Sequence, residues 1–273
     1  MQTFEVKTED GISLHVQKWN DIEKGEKTLL IIHGLGEHQG RYEHVAEHFA
    51  KDGFETYTYD QRGHGKSDGQ RGHSPGIAAS LDDLERVIES IPHENLYLYG
   101  HSFGGNVTAN FVLRKDCSTL RAVVLSSAWL RLHEEPSKTD IILASIMSVI
   151  YPKFTQNNQL DPDDLSYIKQ VGEDYENDPL THNQISAGLF KSFHATGIWA
   201  IENASQLSTP TFVLHGADDS IIGVRGSKEF AKNAGELASL HIYEKTKHEP
   251  HNDNKAGEIL DNISVWFKQI NDG

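Results

Sequence analysis

Ser102 lies inside Gly100-His101-Ser102-Phe103-Gly104, with the alternating run "LYLY" directly before it and the helical pattern "GNVTANFVLRK" directly after it. A strand that feeds a helix through so tight a turn strains the residue at its apex, and the residues two positions away on either side must lack side chains. The strain projects the serine hydroxyl into the cleft at the carboxyl edge of a sheet. Free N–H groups at the start of the helix face the same space, where they can stabilise a developing oxyanion with help from the helix dipole. The chemistry that this arrangement serves is nucleophilic attack on a carbonyl carbon.

A neutral hydroxyl is a poor nucleophile. It needs a base, and the base needs an orienting acid. In a strand–serine–helix architecture the acid follows in the chain and the histidine comes last. "TFVLHGADDSII" offers Asp218 and Asp219 just past an apolar strand. The His-Gly-x-x-Asp spacing and the apolar pair Ile221-Ile222 favour Asp219, with Asp218 as its rival. "SLHIYEKTKHEPHND" offers His248 and His251; His248 comes first after the strand and is favoured. A second oxyanion donor is expected from "HGLGEHQGRY", residues 33–42, with the Leu35 N–H aimed at the serine and Gly34 allowing close backbone approach.

These residues need strands to hold them. "TFEVKT" and "ISLHVQKW" read as strands of a hairpin turning at Glu9-Asp10-Gly11. "TLLIIH" is almost continuously apolar, as in a parallel sheet covered on both faces. "FETYTYD", "NLYLYG", "RAVVLSS", "PTFVLHG" and "SLHIYE" supply further strands. Helical patterns fall between them, at 42–51, in "SLDDLERVIESI" with Ser80 as a cap-like residue, at 224–233 and in "EILDNISVWFKQI". Alternating strands and helices predict an α/β fold with a mostly parallel sheet and helices on both faces. From 129 to 207 the buried-strand rhythm stops. The expectation is a core of residues 1–128 and 208–273, interrupted by a mainly helical cap at 129–207. Within the cap "TDIILASIMSVIYPKF" is apolar around much of its circumference. It reads either as a core helix under the cap or as a lid wall that meets acyl chains or a lipid surface.

Bulk composition narrows the function. The chain of 273 residues carries 25 basic and 40 acidic residues, a formal charge of −15. That balance argues against nucleic acid and anionic membrane as main partners. The start of the chain lacks a basic flank followed by an apolar core, so no signal peptide is expected. The longest apolar run, 141–151, is about half the ~20 residues that cross a bilayer, which predicts a cytoplasmic chain. The single cysteine, Cys117, excludes an intrachain disulfide and reads as a small residue near a helix end rather than a nucleophile. His44 and His48 have helical metal-ligand spacing but no third partner, so a solvated face is the reading and no metal is expected. The glycines at 34, 36 and 40 have the wrong spacing for a dinucleotide, so no cofactor is implied. His64, His73, His182 and His194 stay unassigned.

"HGLGEHQGRY", "YDQRGHGKSDG", "GHSFGG", "NDPL", "HGADDSII" and "KHEPHND" occur in this order. Together they resemble the α/β-hydrolase superfamily and, within it, the monoacylglycerol lipase and lysophospholipase group of serine hydrolases. The resemblance spans 32–253. It implies an α/β-hydrolase fold with Ser102 as nucleophile, Asp219 as orienting acid and His248 as base. It also implies an oxyanion hole from the Leu35 and Phe103 N–H groups. Glu37 and Arg41 match positions close to a polar head group; the competing reading is a buried salt bridge that fixes the loop. "RGHGKSDG" is read as a structural bend. The implied reaction is hydrolysis of a small lipid ester, most naturally a monoacylglycerol, through an acyl-enzyme. A broad esterase or lysophospholipase is the alternative, and an inert binding protein of the same fold the remoter one.

Overall fold

The computed structural model describes residues 2–20, 22 and 27–272. In chain order the elements are β1 (Gln2–Lys7), β2 (Ser13–Lys18), β3 (Lys27–Ile32), α1 (Glu43–Ala50), β4 (Phe54–Tyr59), α2 (Ile77–Glu89), β5 (Leu96–His101), α3 (Ser102–Arg114) and β6 (Leu120–Ser126). There follow α4 (Lys138–Ile150), β7 (Thr155–Asn157), α5 (Lys169–Asn177), β8 (Gln184–Ser186), α6 (Ala187–Asn203), β9 (Thr211–Gly216), α7 (Val224–Ala234), β10 (Ala238–Tyr243) and α8 (Ala256–Asp272).

Eight strands form one sheet in the order β1-β2-β4-β3-β5-β6-β9-β10. β1 pairs antiparallel with β2, and β2 antiparallel with β4; every other pairing in this sheet is parallel. The continuous apolar runs follow from the two covered faces. Leu30, Ile32, Leu96, Leu98, Val123 and Leu125 pack into one cluster with residues of α2, α3, α6 and α7. Leu29, Ile31, Tyr97, Tyr99, Val124 and Leu214 point the other way, into a cluster with α1 and α8. Successive side chains of a strand alternate faces, so a strand buried on both sides must be apolar throughout.

One local expectation, Ser80 as a cap, needs correction. α2 begins three residues before Ser80, with Gly76 in the capping position at φ +143°. Ser80 is buried inside the helix, its hydroxyl 3.2 Å from that of Ser74. The Ile77 N–H is satisfied from α6 instead, by Ser192 Oγ at 3.0 Å, so a tertiary acceptor replaces the local cap. The bend at 62–69 is braced by Arg62, which pairs with Asp83 and with Asp10.

The region between β6 and β9 is heterogeneous. α6 lies against α3 and sends Leu189, Phe193, Ala200 and Ile201 into the same cluster. β7 and β8 form a small antiparallel pair, three residues each, too short to show an alternating pattern in sequence. α4 opens with a capping box, Ser137 to Asp140, and packs on α6. It is no core helix: none of its residues is buried, and Ile142 is 60% and Val149 76% exposed. Apolar residues all round a helix ordinarily signal burial; here they signal a face left open at the outside of the molecule.

Candidate active site

β5 runs straight into α3, and the join falls at Ser102, whose φ is +50°. That left-handed conformation is rare and costly for a residue with a Cβ. The neighbouring glycines show why the turn tolerates no side chains. A Cβ on Gly104 would sit 2.2 Å from the Ile32 carbonyl oxygen, and one on Gly100 2.7 Å from the Gly104 carbonyl oxygen. The Trp129 N–H donates to the Ser102 carbonyl at 2.9 Å and pins the far side of the turn.

The Ser102 hydroxyl lies 3.0 Å from His248 Nε2 and can donate to it. His248 Nδ1 donates to Asp219 Oδ2 at 2.8 Å. Asp219 is saturated: its Oδ1 accepts the Ile221 and Ile222 N–H groups, both at 2.9 Å, and its Oδ2 also lies 3.0 Å from His215 Nε2. Burial would raise the Asp219 pKa, but His248 and the hydrogen bond from His215 outweigh it and hold the carboxyl well below its usual range. Burial likewise pushes His248 down, and Asp219 more than reverses it, so His248 titrates above the ordinary 6.5. Asp218 instead accepts from the Tyr167 hydroxyl at 2.8 Å, outside this chain. His251 is fully buried, its ring stacked on Tyr42 with centroids 4.8 Å apart.

Leu35 follows Gly34, whose notional Cβ would fall 3.3 Å from Ser102 Cβ, so this loop closes over the elbow. The Leu35 N–H donates to no backbone acceptor among the described residues. Phe103, second residue of α3, has an N–H beyond the reach of intrahelical acceptors. These are the two amides that the sequence assigns to an oxyanion hole. A cavity of about 380 Å³ opens here, within the range of small-molecule sites. Ser102, His248, Leu35, Glu37, Glu249 and Tyr175 share its walls with the apolar Leu132, Leu165, Ile185, Phe190 and Ile222 and the polar rim Gln156 to Gln159.

Glu37 and Arg41 meet each other. Glu37 Oε1 accepts from Gly34 N at 2.5 Å and the Tyr42 hydroxyl at 2.8 Å, and Oε2 from Arg41 Nη1 at 2.8 Å. Burial would raise the Glu37 pKa; Arg41 leads the opposing charges and brings it down to about 2. Arg41 also pairs with Glu249, Nη1 to Oε1 at 2.5 Å and Nη2 to Oε2 at 2.8 Å. Its partner lies 208 positions away, so no local sequence pattern announces the pair. Tyr175, 5.1 Å from the guanidinium, and His215 beneath Asp219 are further site residues that sequence reasoning missed. The His-Gly-x-x-Asp spacing held the signal for His215.

The remaining candidates lie apart. Nε2 of His44 donates to the His251 carbonyl at 2.8 Å, and Nε2 of His48 lies 3.2 Å from Ser264 Oγ. Among the described residues no group of three or more His, Cys, Asp or Glu is disposed to hold a metal ion. Burial pushes the Cys117 thiol up to about 11, unfit for a nucleophile. Among the described residues no helix is long and apolar enough to cross a membrane.

This fold, with a serine elbow at the carboxyl end of a parallel strand, is that of the α/β-hydrolases, in their esterase- and lipase-like branch. The chain matches the serine aminopeptidase S33 family over residues 23–255 and belongs to it. It is 33% identical over 96% of its length to an uncharacterised abhydrolase domain-containing protein of Dictyostelium discoideum, of which it spans 28%. It is 28% identical to the monoacylglycerol lipase of Mycolicibacterium smegmatis, over 94% of this chain and 93% of that one. The crystal structure of the Paleococcus ferrophilus monoacylglycerol lipase superposes with a TM-score of 0.87 at 28% identity, covering 99% of this chain and 100% of that one.

Proposed function

We propose that the protein hydrolyses carboxylic esters through an acyl-enzyme and that its substrate is a monoacylglycerol. The observation that carries the chemistry is the hydrogen-bonded chain from Ser102 through His248 to Asp219 on the wall of a cavity. Ser102 Oγ attacks the ester carbonyl while His248 Nε2 takes its proton. The carbonyl oxygen becomes an oxyanion between the Leu35 and Phe103 N–H groups. Asp219 stabilises the imidazolium, which then protonates the departing alcohol. Water attacks the acyl-Ser102 ester, with His248 again as base, and releases the carboxylic acid.

The monoacylglycerol reading draws on the two relatives so named and on the split character of the cavity. Carboxylates of Glu37 and Glu249 offer acceptors for alcohol hydroxyls, while Phe190, Leu132 and Ile222 offer an apolar wall for an acyl chain. In this reading Glu37 meets the head group and Arg41 stands behind it. Residues 129–207 form the cap over a core of 1–128 and 208–273, and the open face of α4 makes transient contact with lipid.

Hydrolysis of monoacylglycerols of graded chain length, beside p-nitrophenyl esters and a lysophospholipid with Ser102→Ala as blank, tests the reading. The expected result is preference for a monoacylglycerol. Fast cleavage of p-nitrophenyl esters without glyceride turnover would keep the chemistry and discard the substrate. No turnover of any ester would leave a binding protein.

A further inference from the structure

The two catalytic loops of this site grow from strands that do not touch. The oxyanion loop follows β3 and the histidine loop follows β10. In the sheet β5, β6 and β9 lie between them, so the strands stand four spacings, about 19 Å, apart. No ladder sets the position of one loop against the other. Backbone bonds hold each loop to a third segment, the His182 N–H to the Gly36 carbonyl and the Glu249 N–H to the Leu165 carbonyl, both at 2.8 Å, and side chains bridge the two loops directly.

The geometry points to Arg41 as the positioning residue that sets the oxyanion loop against the histidine loop, through Glu37 on one side and Glu249 on the other. Glu37 holds the Gly34 N–H, one residue before Leu35. Glu249 is the residue after His248, and its own N–H is fixed on the Leu165 carbonyl at 2.8 Å. Arg41 spans the gap, with Nη1 shared between the two carboxylates and Nη2 completing a two-pronged pair with Glu249. A planar guanidinium in such a fork fixes angle as well as distance, which an ammonium does not. The side chains of Glu37 and Glu249 are each 2% exposed and that of Arg41 11%, so solvent hardly competes. Tyr175 covers the guanidinium from α5. Arg41 does not line the cavity, whereas both of its carboxylate partners do. The hydrogen bond from His44 to the His251 carbonyl is a second tether between the same regions, so loss of Arg41 loosens the site without detaching it.

This inference rests on the hydrolase reading, but it separates from any head-group role. A head-group contact matters only to substrates that carry the head group. A positioning residue matters to every ester. The experiment compares Arg41→Ala, Arg41→Lys and Glu249→Gln with the parent on a monoacylglycerol and on p-nitrophenyl acetate, which has no polyol. Arg41→Ala is expected to lower kcat about 100-fold on both, the scale of a small misplacement of catalytic groups. KM should move less than about threefold, because binding of the ground state is not what is lost. Arg41→Lys should recover only part of the rate, and Glu249→Gln should lose less than Arg41→Ala. If Arg41→Ala does not fold, Glu249→Gln keeps the shape of the site and carries the test, with a loss on both substrates still expected. The inference is overturned if the loss falls on the monoacylglycerol alone with a raised KM, or if neither substrate is affected. A parent protein that hydrolyses neither ester is a different failure, that of the hydrolase reading itself.

Discussion

α3 and α4 are both thirteen residues long, and their burial is the reverse of what their compositions suggest. α3 contains Ser102, Gly104, Gly105, Asn106, Thr108 and Asn110, yet eleven of its thirteen residues are buried. α4 contains Ile141, Ile142, Leu143, Ile146, Met147, Val149 and Ile150, yet none of its residues is buried. Burial at α3 is specified by close approach and hydrogen bonding. Gly104 admits the backbone of β3, and Asn106 Nδ2 donates to the Trp129 and Phe193 carbonyls at 2.7 and 3.0 Å. Such a network holds a nucleophile in a strained conformation because the side chains of Asn106, Thr108 and Asn110 each have a partner. An open apolar face on α4 is instead suited to a medium other than water.

If the buried side of this contrast holds the chemistry, the largest effects come from there. Asp219→Asn should lower kcat by about 10⁴-fold, the cost of losing the orienting carboxylate in serine proteases. Asp218→Asn, which alters only an acceptor for the Tyr167 hydroxyl, should leave kcat near that of the parent. The acid limb of kcat/KM reports His248. The base works only when deprotonated, so activity falls as pH drops through a midpoint above 6.5. In Asp219→Asn burial acts on His248 without the opposing carboxylate, and any residual activity should show that midpoint moved to lower pH. Steady-state rates across pH check both statements; an inactive Asp218→Asn would transfer the role to the neighbouring residue.

A smaller effect is expected from Asn106→Ala. It strips partners from the Trp129 and Phe193 carbonyls and from the Asn110 and Thr196 side chains. The loss should be about 3 kcal/mol, read as a lower urea midpoint with an unchanged m-value. The smallest effect on folding falls on α4. Ile142→Ser with Val149→Ser should move stability by no more than about 0.5 kcal/mol. The same pair should weaken co-sedimentation with phosphatidylcholine vesicles by about tenfold. A large loss of stability instead would mean that this face is covered in solution.

The same contrast explains what was legible in the sequence. The sheet was readable because β3, β5, β6 and β9 must be apolar on both faces, and the elbow because only Gly100 and Gly104 fit the contacts around Ser102. The order of Ser102, Asp219 and His248 along the chain follows from strand order, and the structure joins these three by hydrogen bonds. Features fixed by distant partners were not legible. Ser80 resembled a cap because the role of Ser192 cannot be read locally. Arg41 showed a charge, but not that Glu249 would claim it. α4 showed periodicity, but not which of its faces would find a neighbour.

The proposed chemistry requires Ser102 to be a nucleophile activated by His248. Intact-mass measurement after exposure to a fluorophosphonate tests it most directly. A single adduct is expected on the parent protein, mapped to Ser102, absent from Ser102→Ala and formed far more slowly in His248→Ala. An unlabelled parent protein, or an adduct that persists in Ser102→Ala, would contradict it.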